Sequence, residues 1–202
     1  ADLLKYPRTI ERDTELLKEV RCDVLFSPET DEIYPEKSII KLDFGPLDKV
    51  MEGKFRPGHF SGVGLVVSKL LHIVEPDHAY FGQKDWQQFA VISRLVDELK
   101  FNVNLHSIPT LRETDGLALS SRNLRLTAEQ RTNGAVFYRA LLEAKRALKS
   151  GKKIEAVRTM VKEMVEQKPD IRLEYFEVAE GTNLNLLENV DGAKQPIMCI
   201  AG

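Results

Sequence analysis

The clearest periodicity in the chain is a stripe of apolar residues in its first half. Val63, Val66, Val67, Leu70, Leu71 and Val74 recur at spacings of three and four, which places them on one face of a helix that Pro76 should close. A second helical stripe, Trp86, Phe89, Ile92, Val96 and Leu99, predicts an amphipathic helix over 85–99. Short apolar runs at 79–81 and 103–108 alternate with these helices and read as strands. Upstream, the pattern predicts a helix over 11–20, strands at 23–26 and 38–43, a loop at 27–31 and a turn at Pro57-Gly58. Helices alternating with strands imply a parallel sheet covered by helices, whose ligands bind at the carboxyl ends of its strands.

The pattern changes after Pro109. A polar loop runs over 112–123, and Thr127 to Gln130 has the spacing of a capping box. It predicts a helix from there to about Lys149, stopped by Gly151, then another over 154–167. Strands are expected at 173–178 and 197–201. The expected fold is therefore α/β. Residues 1–109 form an incomplete Rossmann-like parallel-sheet nucleotide-binding domain, and residues 110–202 form a smaller α+β domain.

Composition changes this picture little. The chain has 202 residues, 43% hydrophobic and 30% charged, with a net charge of −2, which gives no electrostatic reason to expect nucleic acid or an anionic membrane as partner. No apolar run is long enough to cross a bilayer, so the cytoplasm is expected. Cys22 and Cys199 each sit in an apolar run and read as buried free thiols. His59, His72, His78 and His106 lack metal-ligand spacing, and His72 falls on the polar face of its helix. No Walker or dinucleotide glycine pattern is present. The chain opens at Ala1 inside a polar stretch and ends directly after an apolar run, so both ends look cut.

Two segments carry chemistry. In Phe81-Gly82-Gln83-Lys84-Asp85-Trp86-Gln87-Gln88 a strand ends, a glycine bares the backbone and a helix begins. A helix N-terminus attracts anions, and Lys84 adds a mobile charge suited to phosphate. Asp85 could cap the helix or accept from a ribose hydroxyl, and Gln88 shares a helix face with Lys84. In the second segment, Arg112 to Asn123, Ser120, Ser121 and Arg122 could clamp a polyphosphate. Taken singly, the first segment also fits a capped surface helix with a solvated lysine, and the second a polar interdomain loop. Together they indicate a nucleotide phosphate site.

At these residues the sequence resembles the pantothenate synthetase (pantoate–β-alanine ligase) family. The matching pieces are Tyr6-Pro7-Arg8-Thr9, Arg56-Pro57-Gly58-His59-Phe60 with Gly62-Val63, Phe81-Gly82-x-Lys84-Asp85-x-Gln87-Gln88, and Arg112-x-x-Asp115-Gly116-Leu117-Ala118 with Ser120-Ser121-Arg122-Asn123. The resemblance implies a homodimeric enzyme with a Rossmann-like ATP-binding domain and a C-terminal lid. ATP and pantoate, with Mg²⁺, would give pantoyl adenylate and pyrophosphate, and β-alanine would then displace AMP. By position it implies that Gly82, Gln83, Lys84 and Asp85 contact ATP, with Lys84 catalytic on the phosphates. Leu111 would meet adenine through its backbone, Leu119, Ser120, Ser121 and Arg122 would form a second phosphate loop, and Gln88 and Tyr6 would bind pantoate. Gln83 stands where the family usually has Glu. The family's first motif, Met-Gly-x-Leu-His-x-Gly-His, is not in this sequence, nor is its last strand, so residues 1–202 alone are expected not to make pantothenate. A nucleotidyltransferase of the same superfamily and a non-catalytic ATP-binding or dimerisation fragment are the alternatives.

Overall fold

The computed structural model describes residues 9–202, in two compact units: residues 9–39 with 120–125, and residues 40–119 with 126–202. In the first unit, α1 (Ile10–Glu19) forms where its periodicity predicts, although none of its residues is buried. Residues 23–26 are not a strand: Val24 is 78% exposed, and no other described segment pairs with this one. An apolar run becomes a strand only when a neighbour accepts its backbone hydrogen bonds. The predicted loop at 27–31 is cut short by α2 (Thr30–Ile33), where Glu32 Oε2 accepts from the Glu29 N–H at 2.7 Å.

The expected strand at 38–43, which spans the boundary between the two units, is also irregular: Ile39 is 93% and Ile40 62% exposed, and no described segment pairs with it. A short helix α3 (Met51–Phe55) and the long helix α4 (His59–Val74) follow. The latter ends at Val74, two residues before Pro76, and Glu75 takes φ 48°, because a residue preceding proline is pushed out of the helical region. Strand β1 (His78–Gly82), helix α5 (Trp86–Leu99) and strand β2 (Asn104–Ile108) form a βαβ unit. The strands are parallel, with His78 opposite Asn104 and Gly82 opposite Ile108.

Helix α5 buries a wider face than its apolar stripe suggests. Ala90 and Val91 enter one cluster, with Leu47, Met51, Phe60, Ala179 and Leu184. Ile92 and Val96 enter another, with Leu71. Packing on two sides recruits Gln87, Ala90, Val91 and Leu95 and leaves Leu99 57% exposed.

The capping box at Thr127 forms as read, Thr127 Oγ1 accepting from the Gln130 N–H and Gln130 Oε1 from the Thr127 N–H, each at 3.1 Å. The single helix expected after it is two, α6 (Ala128–Gly134) and α7 (Val136–Lys149). The break falls after Gly134, a residue with poor helix propensity. Gly151 follows α7 with φ 82°, as a helix stop requires. Helix α8 (Ile154–Glu166) packs with α7 under β3 (Tyr175–Glu180), which pairs antiparallel with β4 (Pro196–Ala201). Cys22 is exposed rather than buried, and Cys199 is half-buried; both are free thiols. His72 is exposed, its ring tilted against Phe101. Among the described residues, no helix is long and apolar enough to cross a membrane.

Candidate functional site

Because β1 and β2 run parallel with Gly82 opposite Ile108, the segments that leave them emerge at one edge of the sheet. One is Gln83–Asp85, a single 3-10 turn that leads into α5; the other is Pro109 to Leu111. This carboxyl edge is where parallel α/β sheets bind ligands.

The turn after β1 is held from its helical side. Trp86, the first residue of α5, donates its indole N–H to the Gly181 carbonyl at 2.9 Å. Gln87 is 5% exposed and saturates its amide. Its Nε2 donates to the carbonyls of Leu47 at 2.7 Å and Val50 at 2.9 Å, and its Oε1 accepts from the Glu52 N–H at 3.0 Å. Two consecutive anchored residues therefore set where α5 begins.

Ahead of those anchors, Gly82, Gln83, Lys84 and Asp85 are all exposed. Asp85 occupies the N-cap position but makes no capping hydrogen bond, so of the two roles read for it, capping is excluded. Gly82 has φ −71° and ψ 130°, a conformation open to any residue. A Cβ there would meet nothing within 4 Å. Glycine at 82 is thus needed neither for strain nor for packing; it leaves bare backbone with open space in front of it, the condition for close approach of a ligand. Gln88, in the first turn of α5, is half-buried.

The second predicted segment is a tight hairpin. Arg112 bridges Ala118, the Leu119 N–H donates to the Leu111 carbonyl at 2.9 Å, and the Gly116 N–H donates to the Glu113 carbonyl at 2.8 Å. Gly116 has φ 92°, and a Cβ on it would collide with the Tyr138 ring. That close approach lets Arg112 lie 4.2 Å above the same ring while its Nη1 donates to the Gly116 carbonyl at 3.1 Å. The hairpin so brings Leu111 and Leu119 together at its open end, both exposed.

Ser120, Ser121 and Arg122 belong to the other unit, where they open a 3-10 turn (Ser121–Arg125). Ser120 Oγ accepts from the Arg122 N–H at 3.3 Å. Tyr6 lies outside the described residues. Among the described residues, no three His, Cys, Asp or Glu side chains gather as a metal site. The sequence reading missed the anchoring roles of Trp86 and Gln87. The signal for Gln87 was present in its spacing, three and four residues ahead of Ala90 and Val91, which enter one cluster with Leu47, the residue whose carbonyl Gln87 reaches.

A parallel βαβ unit places the chain among α/β proteins, and the exposed glycine–lysine turn at its carboxyl edge lies where such proteins bind nucleotides. The comparisons with known proteins narrow that class. The family model described as pantoate-beta-alanine ligase matches residues 1–202. A pantothenate synthetase of Bacteroides thetaiotaomicron is 41% identical over 199 residues, 98% of this chain and 70% of that protein. The crystal structure of pantothenate synthetase from Thermus thermophilus superposes with a TM-score of 0.88 at 41% identity, covering 94% of this chain and 69% of that one. Pantoate-beta-alanine ligase from Francisella tularensis, complexed with beta-gamma ATP and beta-alanine, gives 0.74 at 30% identity, over 98% of this chain and 71% of that one. The chain belongs to the pantoate–β-alanine ligase family, and its activity is that of a ligase forming pantothenate.

Proposed function

We propose that the enzyme condenses pantoate with β-alanine at the expense of ATP, through a pantoyl-adenylate intermediate. The observation that carries the reading is the Gly82–Asp85 turn, where bare backbone with open space before it, an exposed Lys84 and the start of a helix follow one another at the carboxyl edge of a parallel sheet. Such a junction suits a polyphosphate. In the first step a pantoate carboxylate oxygen attacks the α-phosphorus, the bond to the bridging oxygen breaks, and pyrophosphate leaves. In the second the neutral amine of β-alanine attacks the acyl carbon, the acyl–oxygen bond breaks, AMP leaves, and the nitrogen sheds a proton.

Lys84 is assigned to the phosphates, where a cation offsets charge that grows on the leaving pyrophosphate. The backbone of Gly82 and Gln83 is assigned to ATP, and the Asp85 carboxylate, which is not spent on capping, to the ribose. Leu111 is assigned to adenine through its backbone. Gln88 and Tyr6 are assigned to pantoate, and Leu119, Ser120, Ser121 and Arg122 to the ATP phosphates on their motif alone. Mg²⁺ would travel on the nucleotide phosphates, which suits an ion that keeps its waters rather than a cage of side chains. The described residues offer no such cage. A division into an ATP-binding domain over 1–109 and a lid over 110–202, a homodimeric state and a cytoplasmic location rest on the family resemblance. The product set tests the reading: with ATP, pantoate and β-alanine, the full enzyme should release AMP as β-alanine is consumed. Release of ADP and phosphate would refute adenylation.

A further inference from the structure

The hairpin that ends in Leu111 and Leu119 is gripped from outside by one side chain of α6. Arg131 Nη1 donates to Glu113 Oε1 at 3.0 Å, and Nη2 donates to Glu113 Oε2 at 2.7 Å and to Asp115 Oδ2 at 3.1 Å. The first two bonds are the parallel fork that only a guanidinium makes with a carboxylate. The third reaches across the turn, and the other oxygen of Asp115 accepts from the Leu117 N–H at 3.0 Å. One cation thus holds two carboxylates on either side of Thr114, and through Asp115 it holds the backbone of the returning strand. The side chains of Arg131, Glu113 and Asp115 are 30%, 31% and 35% exposed, so the grip is partly shielded from water. The donor itself is well placed, because α6 starts on the closed capping box of Thr127 and Gln130.

We propose that Arg131 is a positioning residue for nucleotide binding: it sets the Leu111–Leu119 hairpin and acts on ATP through that loop rather than by touching it. The inference rests on the assignment of Leu111 and of Leu119 to Arg122 to ATP. Without the guanidinium, Glu113 and Asp115 are like charges on one short turn and repel each other. The turn opens, and the closing bond from Leu119 to Leu111 loses its register. A simple surface ion pair would contribute little to anything; this one is distinguished by what it holds.

The test is a comparison of kinetic constants in the full enzyme. Arg131→Lys keeps the charge and loses the fork, and Glu113→Gln with Asp115→Asn keeps the arginine, removes both negative charges and replaces one acceptor oxygen of each carboxylate by a donor, so the fork is lost. Both variants should raise the KM for ATP roughly tenfold or more, the size of effect that a small displacement of a binding group produces. The KM values for pantoate and β-alanine should stay within about twofold, and Tm within about 3 °C. An unchanged ATP KM in either folded variant overturns the proposal, and so does a proportional rise in all three KM values, which marks general loosening. Ser121→Ala separates the two layers. If it raises the ATP KM while Arg131→Lys does not, the clamp alone is wrong; if neither does, the assignment of this loop to ATP has failed and the inference falls with it.

Discussion

The indole N–H of Trp86 reaches the carbonyl of Gly181 at 2.9 Å, a contact between the first turn of α5 and the end of β3 that spans 95 residues of sequence. Gly181 is buried, and its own N–H donates to Gln195 at 2.8 Å. The bond fixes the start of the helix that carries the Lys84 turn. Trp86→Phe retains an aromatic ring against Phe89 and removes the donor, leaving a buried carbonyl without it. It should cost about 1–3 kcal/mol, measured as a shift in the denaturant midpoint. An unshifted midpoint would show that the bond has no net value.

Gln87 should matter more. Gln87→Leu preserves size and deserts the carbonyls of Leu47 and Val50 and the N–H of Glu52. Orphaned backbone groups in a buried setting make a loss of roughly 2–4 kcal/mol the expected outcome. Urea unfolding would measure it, and a loss below about 0.5 kcal/mol, the range of ordinary surface changes, would contradict the anchoring role.

Lys84 and Gln88 are expected to part company in kinetics. Lys84→Ala should lower turnover by roughly two to three orders of magnitude, as removal of one transition-state donor does. The side chain is exposed, so stability should hold. Gln88→Ala should weaken pantoate far more than ATP, because an amide can both donate to and accept from a hydroxy acid. Steady-state kinetics with each substrate varied would check both, and equal losses toward ATP and pantoate in the Gln88 variant would contradict its assignment.

The residues that the sequence misjudged share one physical reason. Val63 to Val74 and Trp86 to Leu99 carry their own hydrogen bonds, so helical spacing was enough to find α4 and α5. The runs at 23–26 and 38–43 needed a partner strand, and apolar content says nothing about whether one is there; Val24 and Ile39 accordingly lie exposed. The two-sided burial of α5 depends on Leu47, Met51 and Ala179 arriving from elsewhere in the chain. The Lys84 and Ser120 motifs are visible in the sequence because their spacing is local. The anchors beneath them, Trp86 on Gly181 and Arg131 on Glu113, are tertiary and have no signature at short range.

Burial pushes the Cys199 thiol up to about 12 from an ordinary 9.0, and the same cause raises the Tyr175 hydroxyl beside it. In the unfolded chain the thiol loses its proton near 9. The folded state is then the tighter proton binder, so this contribution to stability is fully present below pH 9 and lost as pH rises through 12. The denaturation midpoint should fall over that window, and Cys199→Ala should flatten the fall. The exposed Cys22 should also react with iodoacetamide before Cys199 does. Equal labelling rates, or an identical alkaline profile in the variant, would contradict the burial argument.

The most direct measurement of the proposed chemistry is isotope exchange between pyrophosphate and ATP in the full enzyme, with no β-alanine present. Formation of pantoyl adenylate makes the first step reversible on its own, so labelled pyrophosphate should enter ATP when pantoate is added and not otherwise. Lys84→Ala should depress that exchange by the same roughly hundredfold or greater factor as turnover. Exchange without pantoate, or none in its presence from an enzyme that makes pantothenate, would contradict the acyl-adenylate route.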